Sequence, residues 1–464
     1  MKNRVKTLGI WLAVTVLIVS AFFAGADLRA LQKPAVPSGT SVQANALLKL
    51  TPEWSPVSLR DADRSPSENR DLVYAVVNLL KEHYYEPITK EKETVMARGA
   101  VRGMLESLDD PDSRFLDPTE QKLLNDAGFG KFHGIGAVLA LREVKVDELD
   151  ATKLIIVSAM PGSPAQKAGL IPGDSVTHIG GKWIVTYDPF KEANLEKLAK
   201  AARNKEIDAF TYQKAYETAY KKLKEGVTIV DALETLTSKS SGEVGLRIER
   251  PGRRDPIELK LSCANTVVDP VTSRATKQGI AYIRISQFNT RAVREFAVEL
   301  KRAQANGTKA LVLDLRGNPG GLIDAAAEIA GRITGGGVMA IVESSNGRRT
   351  IRKPRRPGLG LPVAVLVDEG TASVAELMAG TLRENSAAIL VGDKTFGDGL
   401  MQTPLMLQDG SAAILTTGKM LTAKGFDFNG KGLQPNKKVE RDDRRADAQL
   451  EEAVNVLLAK LGKA

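Results

Sequence analysis

An uncharged, apolar stretch occupies residues 8–26, directly after Lys2, Arg4 and Lys6. A run of about 20 apolar residues is long enough to cross a bilayer. Positive charges before it favour a cytoplasmic N-terminus, so the rest of the chain is predicted to be exported. Small residues at the end of the run are also typical of a cleavage site. Within residues 1–30 the pattern therefore predicts a signal peptide or a membrane anchor, with the anchor slightly favoured.

Polar and apolar positions change character twice before residue 129. Residues 31–68 are rich in Pro, Ser and Ala, which predicts a flexible tether. Residues 69–128 carry apolar side chains at helical spacing, and a second helical stretch there ends in a turn rich in Asp and Pro. We expect this part of the chain to be an N-terminal helical region.

Short strand-like runs and glycine turns dominate residues 129–262. Residues 188–226 interrupt them with two amphipathic helical patterns. The second pattern carries Tyr212, Tyr216 and Tyr220 at four-residue spacing, which places the three rings on one helix face. We predict a helical insert in a β-rich domain and interpret the tyrosines as its packing face rather than as a ligand site.

Strand and helix patterns alternate from residue 263 to residue 464. Four apolar runs are typical of strands: 279–285, 310–316, 362–368 and 387–392. Amphipathic stretches between them, and one near the C-terminus, predict helices. This alternation favours a mainly parallel sheet with helical crossovers. The expected fold is a multidomain α+β and α/β protein that ends in an α/β domain.

Composition narrows the classes of partner. The 464 residues carry a net charge of +9 and a pI near 9.3, but basic and acidic residues are interleaved and no long Lys/Arg block occurs. This distribution argues against nucleic-acid binding and favours attraction to an anionic membrane surface. The single cysteine, Cys263, rules out an intrachain disulfide, and three histidines give no metal-ligand cluster. We therefore expect neither a metal nor another cofactor.

Two linked motifs lie near the start of the β-rich region. Gly134, Ile135, Gly136 and Ala137 can turn successive backbone N–H groups into a concavity that binds a carboxylate. By itself a Gly-Ile-Gly turn is more often only a strand connection. It is followed, however, by LIIVSAMPGSPAQKAGLIPGDSVTHIGG, and together the motifs resemble a PDZ domain of the permuted kind found in bacterial proteases. The resemblance implies that residues 228–237 form a helical wall of the peptide groove.

Two later motifs place polar groups where a buried strand turns into a helix. In LVLDLRGNPGG, the glycines after Arg316 expose backbone N–H groups at a helix N-terminus, which suits an anion or an oxyanion. A plain strand-to-helix turn is the alternative. In VLVDEGTASVAE, Ser373 lies between a strand and a helix, as a nucleophile does on a sharp turn. For that serine the alternative is a helix N-cap.

The order of these motifs resembles that of one enzyme family. GMLESLDDPDSRF, the PDZ-like segment, LRGNPGG, DEGTASVAE and TFGDGLMQ follow one another over roughly residues 70–440, as in the C-terminal processing peptidases. The resemblance implies a serine peptidase in which Ser373 is the nucleophile and Gln402 orients a lysine base. It also implies oxyanion donors at Gly320 or Gly321 and at Val374.

The lysine base of that family is absent. Asp398 stands in its place, 25 residues after Ser373 as the family's spacing requires. An aspartate with an ordinary pKa of about 3.9 is a weak base at pH 7, and its shorter side chain argues against contact with Ser373. Lys394, about 13 Å away along an extended chain, and Lys419, on a neighbouring strand, are the alternative bases. A salt bridge between Asp398 and Lys419 is the other interpretation.

Two functions follow from these motifs. The first is an exported serine endopeptidase whose PDZ domain (129–262) captures exported or misfolded proteins by their apolar C-termini and whose peptidase domain (263–464) cleaves them by acyl-enzyme chemistry. The second is an inactive homologue that binds peptides as an adaptor or scaffold, because Asp398 replaces the general base. The predicted location is the periplasm or cell envelope, with residues 8–26 in the membrane. The oligomeric state is left open.

Overall fold

The computed structural model describes residues 66–462 except 109, 111, 147–148, 188, 238–241, 276–278 and 442–446. The predicted membrane segment and the tether up to residue 65 lie outside these residues. Within them no helix is both long and apolar enough to span a membrane. The chain forms two compact units, Met1–Ile88 and Thr89–Ala464. The first contributes helix α1 (Pro66–His83), and the elements below belong to the second.

The helices of the second unit vary from one turn to about five turns. They are α2 (Lys90–Glu106), α3 (Pro118–Gly128), α4 (Pro164–Lys167), α5 (Pro189–Glu192), α6 (Leu195–Arg203), α7 (Ala209–Glu225), α8 (Ile229–Thr237), α9 (Thr290–Ala305), α10 (Ile323–Thr334), α11 (Val374–Glu384) and α12 (Ala448–Lys460). The insert is helical, as predicted, and consists of α5, α6 and α7. Tyr216 of α7 contacts Phe190 and stacks on Tyr220, but Tyr220 is half exposed, so the tyrosine face packs only in part.

The strands of the described residues are two to eleven residues long. They are β1 (Arg114–Leu116), β2 (Lys131–Phe132), β3 (Ala137–Val146), β4 (Leu149–Ala159), β5 (Ser175–Ile179), β6 (Lys182–Trp183), β7 (Glu243–Glu249), β8 (Ile257–Ser262), β9 (Thr266–Val267), β10 (Val271–Ala275), β11 (Ile280–Ile285), β12 (Ala310–Asp314), β13 (Gly337–Ser344), β14 (Gly347–Lys353), β15 (Val363–Val367), β16 (Ala388–Gly392), β17 (Leu400–Met406), β18 (Ala412–Leu421) and β19 (Lys437–Lys438).

A six-stranded sheet forms the centre of the C-terminal domain, in the order β10–β11–β12–β15–β16–β19. Every neighbouring pair is parallel except β10–β11, which confirms the mainly parallel sheet. Strands β12 and β15 are buried along their whole length because helices pack on both faces. These two strands are adjacent, so the turns that leave their carboxyl ends lie side by side. The two strand-to-helix motifs occupy those turns.

The PDZ domain is built on a second sheet, with the order β3–β4–β5–β7–β8 and β6 paired to β5. Its core combines strand residues such as Leu154, Ile156 and Ile248 with Leu236 from α8, and each of these side chains is fully buried. Strand β3 pairs only with β4 among the described strands and therefore forms one edge of the sheet. An edge strand can accept a peptide as a further strand.

A third, antiparallel sheet was not predicted from the sequence. It has the order β1–β18–β13–β14, and β17 also pairs with β18. Its first strand, β1, lies within residues 69–128, which were expected to be helical and separate from the peptidase domain. Three residues are too few to show a strand period, so periodicity alone could not find β1. The N-terminal helical region thus contributes a strand to the peptidase domain.

Candidate active site

Ser373 lies on the turn between β15 and α11, at the N-cap position of the helix. Its backbone has φ +54° and ψ −120°, a region that residues other than glycine rarely adopt. An ordinary N-cap has extended backbone. Such strain costs about 1–3 kcal/mol and persists only where the surroundings hold it. Ser373 is therefore both a cap residue and the apex of a strained turn, so the two readings of the sequence describe one position.

The turn after β12 presses directly against Ser373. Gly320 has φ +102°, and a Cβ added there would lie 3.0 Å from the Ser373 Cβ and 3.1 Å from the Val374 nitrogen. The Gly320 N–H donates to Asn318 Oδ1 at 2.9 Å and is therefore engaged. Among the described residues, no acceptor binds the N–H groups of Gly321 and Val374. Of the three expected oxyanion donors, Gly321 and Val374 therefore keep available N–H groups, whereas the N–H of Gly320 is engaged.

Several hydrogen bonds hold the glycine turn after β12, residues 317–321, in place. The Asn318 side-chain amide donates to the Ile285 carbonyl at 2.9 Å, and the Phe288 N–H donates to the Gly320 carbonyl at 2.9 Å. Next to them, the Gly317 N–H donates to the partly buried carboxyl of Asp368 at 2.8 Å. Burial raises the pKa of Asp368. The glycine turn thus has a fixed position relative to β11 and β15.

A buried ion-pair cluster around Asp314 and Arg316 supports the start of the same turn. The Arg316 guanidinium donates to the buried Asp314 carboxylate and to Asp447 near the start of α12. Burial alone would raise the pKa of Asp314, but the Arg316 charge and hydrogen bonds hold it below its ordinary value. Tyr282 also donates to Asp314, at 2.6 Å, and burial raises the pKa of that tyrosine to about 12. Each buried charge in the cluster is paired, as burial requires.

Asp398 reaches Ser373 despite its short side chain. The Ser373 side chain lies close enough to the Asp398 carboxyl group to act to lower its pKa, and the Leu400 N–H lies 3.4 Å from Asp398 Oδ1. Burial, and next the negative charge of Asp112, raise the pKa of Asp398 to about 6. The expectation that Asp398 is too short for contact was wrong, because the backbone of residues 395–399 itself approaches the serine turn.

Gln402 does not orient Asp398. Strands β17 and β18 pair so that Gln402 lies opposite Thr416, and its side-chain amide donates to Thr416 Oγ1 at 2.9 Å. The Gln402 side chain is exposed beyond that contact. The structure therefore places this residue on the cross-strand pair rather than at the proposed base.

Neither candidate replacement base contacts Ser373 within the described residues. Lys419 forms an ion pair with Asp427 at 3.2 Å, so the alternative salt bridge from Lys419 to Asp398 was wrong. Lys394 is exposed, and its side chain passes over Gly432.

Sequence reasoning missed Asp112, which it interpreted only as part of a turn. Asp110 accepts from the Ser113 hydroxyl at 2.6 Å, and Ser113 Oγ in turn accepts from the Thr416 N–H at 3.0 Å. These contacts hold the turn against β18, which brings the Asp112 charge near Asp398. Burial and the Asp110 charge also raise the pKa of Asp112. The run of acidic residues in LDDPDSR was the signal available in the sequence.

Glu376 was also missed, although its spacing of three residues after Ser373 fits a capping box. Its carboxylate is buried and accepts four hydrogen bonds, from Ser373 and from residues 395–398. Burial raises the pKa of Glu376 to about 7, although these hydrogen bonds act to lower it. The carboxylate therefore lies between the two segments that carry Ser373 and Asp398.

The glycine turn of the PDZ domain is closely packed. A Cβ at Gly134 would lie 2.0 Å from the Leu236 carbonyl oxygen, and one at Gly136 would lie 2.5 Å from the Ser163 Cβ. The Ile135 N–H donates to the Leu236 carbonyl at 2.9 Å. Ile135 is therefore not among the amides open to a peptide carboxylate, which corrects the expected set of four. Ala137 begins β3, the edge strand of the domain.

The PDZ domain contacts the Asp398 loop and the glycine turn after β12. Arg142 of β3 donates to the Phe396 carbonyl at 2.9 Å, and its guanidinium lies 4.2 Å from the centre of the Phe396 ring. On the other side, the Ser158 hydroxyl of β4 donates to the Gly317 carbonyl. A cation over an aromatic face contributes about 0.5–2 kcal/mol. The edge strand β3 and the loop that carries Asp398 are thus in direct contact.

Comparisons with known proteins agree with this architecture. Residues 279–439 match the family model of peptidase family S41, and residues 155–200 match a PDZ domain model. The chain is 31% identical to the carboxy-terminal processing protease CtpA of Bacillus subtilis, over 87% of this chain and 76% of that protein. The chain belongs to the carboxy-terminal processing proteases. The resemblance inferred from the motifs is thereby confirmed.

One further relative supports membership in this family, and one solved structure has a similar fold. A carboxyl-terminal-processing protease of Synechocystis is 28% identical, over 82% of this chain and 80% of that protein. The solved structure of a photosystem II D1 C-terminal processing protease aligns with a TM-score of 0.59 at 24% identity, over 83% of this chain and 90% of that one. The expected combination of a PDZ domain and an S41 peptidase domain is confirmed by the same comparisons.

Proposed function

We propose that this family member is an exported serine endopeptidase that binds protein C-termini in its PDZ groove and cleaves peptide bonds through an acyl-enzyme on Ser373. The observation that carries the proposal is the contact between the Asp398 carboxyl and the Ser373 side chain, beside the Gly321 and Val374 amides. A nucleophile, a proton acceptor and oxyanion donors are the groups that peptide-bond hydrolysis requires.

In the proposed reaction, Asp398 takes the proton of the Ser373 hydroxyl while Oγ attacks the scissile carbonyl carbon. The negative charge that forms on the carbonyl oxygen is stabilised by the N–H groups of Gly321 and Val374. Asp398 then returns the proton to the leaving amine, which departs and leaves an ester on Ser373. A water molecule gives a proton to Asp398 as its oxygen attacks the ester carbonyl carbon. When the ester bond then breaks, Asp398 returns this proton to Ser373 Oγ, and the carboxylic acid product and the free serine complete the cycle.

The raised pKa of Asp398 makes a carboxylate a usable base here. A base is most effective when its pKa is close to the working pH. Burial and the Asp112 charge raise the pKa of Asp398 to about 6, compared with about 3.9 for an ordinary aspartate. Above pH 6 the group is ionised in the folded protein and can accept the serine proton. Below pH 6 it holds its own proton and cannot.

Export rests on the N-terminal sequence. The uncharged run 8–26 follows three basic residues, which supports insertion with the catalytic part outside the cytoplasm. Substrates would then be exported proteins with apolar C-termini, since an edge strand and a carboxylate-binding turn select an extended free end.

The proposal is tested by labelling with a serine-reactive fluorophosphonate and by cleavage of casein, both at pH 8. The wild-type protein should label and cleave, and Ser373→Ala should do neither. Asp398→Asn keeps the shape but removes the base, so both rates should fall by about 10²- to 10⁴-fold. Equal labelling by Asp398→Asn would remove Asp398 from the mechanism.

The inactive-adaptor alternative has a separate outcome. If wild-type protein neither labels nor cleaves while Asp398→Lys does both, the natural protein lacks only its base and acts by binding. Absence of labelling in both forms would also rule out the peptidase proposal. Binding of a peptide with a free C-terminus to Ser373→Ala would then measure the adaptor activity directly.

A further inference from the structure

Glu376 joins the two segments that carry Ser373 and Asp398. Glu376 Oε2 accepts from the Ser373 N–H at 3.0 Å and from the Asp398 N–H at 2.8 Å. Its other oxygen, Oε1, accepts from the Gly397 N–H at 2.8 Å and from the Thr395 hydroxyl. The side chain is fully buried, so no water competes for these donors. One oxygen atom thus bridges the backbone of the proposed nucleophile and the backbone of the proposed base.

Helix capping explains only one of these four contacts. Glu376 is the third residue of α11, and its bond to the Ser373 N–H is the reciprocal half of a capping box. The other three donors belong to residues 395–398, which lie 19 to 22 positions later in the chain. A cap needs none of them.

We propose that Glu376 is a positioning residue whose ionised carboxylate holds the Ser373 turn and the Asp398 loop at the separation that proton transfer requires. This inference rests on the proposed function. An ionised carboxylate accepts on both oxygens, whereas an amide of the same shape offers one acceptor oxygen and one donor nitrogen. A glutamine at this position therefore satisfies one pair of donors and repels the other pair. A misplacement of about 1 Å can lower a rate by about 10²-fold.

The chain supplies a matched control at Glu384, which lies on the same helix. Glu384 also accepts a hydroxyl and a backbone N–H, from Thr422 and Lys424, but these belong to the turn after β18 and not to the catalytic loop. Glu376→Gln and Glu384→Gln therefore make the same chemical change at two ends of α11. Only the first breaks a link between Ser373 and Asp398.

The first measurement is the rate of fluorophosphonate labelling against probe concentration at pH 8.5, above the pKa of about 7 to which burial raises Glu376. In Glu376→Gln the maximal rate should fall about 10- to 100-fold while the half-saturating concentration stays within about twofold. Glu376→Asp keeps two acceptor oxygens and should recover part of the rate. Glu384→Gln should label within about twofold of wild type.

The second measurement is hydrogen–deuterium exchange, which does not depend on activity. Exchange should rise in residues 395–399 in Glu376→Gln and in residues 422–426 in Glu384→Gln. Native labelling by Glu376→Gln would overturn the positioning role and leave the proposed function intact. If wild-type protein does not label, the proposed function fails, and unchanged exchange at 395–399 in Glu376→Gln would separately overturn the positioning role. Should Glu376→Gln not fold, Glu376→Asp supplies the same two comparisons.

Discussion

The pKa of Asp398 is set by its surroundings rather than by its residue type alone. Because burial and the Asp112 charge raise the pKa of Asp398 to about 6, the rate of Ser373 labelling should increase with pH through a midpoint near 6. Asp112→Asn removes the neighbouring charge but keeps the shape, so the midpoint should move to lower pH. Labelling rates at saturating probe from pH 4.5 to pH 9 measure both midpoints.

Asp427→Asn is a suitable control for that shift. Asp427 pairs with Lys419 and Lys431 and makes no contribution to the pKa of Asp398. Its substitution should leave the midpoint unchanged. A midpoint in Asp112→Asn equal to that of wild type would show that the Asp112 charge does not act on the base.

The same raised pKa predicts a pH-dependent effect on stability. In the folded protein Asp398 holds its proton up to about pH 6, whereas in the unfolded chain it ionises near pH 4, so its contribution favours the folded state at low pH and is lost as the pH rises through 6. Asp398→Asn removes this loss. The difference in free energy of unfolding between Asp398→Asn and wild type should therefore favour the variant by on the order of 2 kcal/mol more at pH 8 than at pH 4. Urea unfolding of both proteins at the two pH values measures it, and an equal effect at both would contradict the raised pKa.

At the scale of elements, the glycine turn after β12 packs closely against the turn that carries Ser373. Gly320→Ala would bring a methyl group to 3.0 Å from the Ser373 Cβ, so one of the two turns must shift. The rate of fluorophosphonate labelling should fall at least about tenfold. Gly347→Ala is the matched control: its φ of +101° is nearly equal to the +102° of Gly320, but no atom lies within 4 Å of the added Cβ. Equal losses in the two variants would trace the effect to backbone strain alone.

The edge strand β3 and the glycine turn before it predict how peptides bind. A peptide with an apolar free C-terminus should bind Ser373→Ala protein more tightly than the same peptide with an amidated C-terminus, because the amide has no charge for the turn to bind. Isothermal titration with both peptides measures the difference. Equal affinities would show that the turn does not bind the carboxylate. No binding of either peptide would show that β3 does not form a peptide groove. Substitution of Gly136 is not a clean test, because a side chain there collides with Ser163 in the fold itself.

For the whole molecule, residues 8–26 predict the location. When the full-length protein is expressed in a bacterial host, protease added to intact spheroplasts should digest all of it except the N-terminal end. The undigested protein should sediment with membranes. Intact-mass measurement of the mature protein separates a retained anchor from a cleaved signal. Soluble, full-length protein in the cytosol would refute export.

Local sequence patterns were sufficient for the parallel sheet and the PDZ domain, but not for the third, antiparallel sheet. Alternating strands and helices predicted the parallel sheet because each buried strand and amphipathic helix carries its own period. The PDZ domain and the positions of Ser373, Asp398 and the glycine turn followed from short motifs in a fixed order. The strand β1 was missed, since its three residues form a strand only by pairing with β18, about 300 residues later in the chain.

The amino-acid sequence by itself determined the family, the domain order and the absence of the lysine base. Only the tertiary structure decided that Asp398 meets Ser373, that Asp112 and burial raise its pKa, and that the Ile135 amide is engaged by Leu236. It also showed that the Glu376 carboxylate binds both segments that carry Ser373 and Asp398. Each of these properties depends on groups that are distant in the chain and on their removal from water. Distance and burial arise only when the segments pack together, so a local pattern does not encode them.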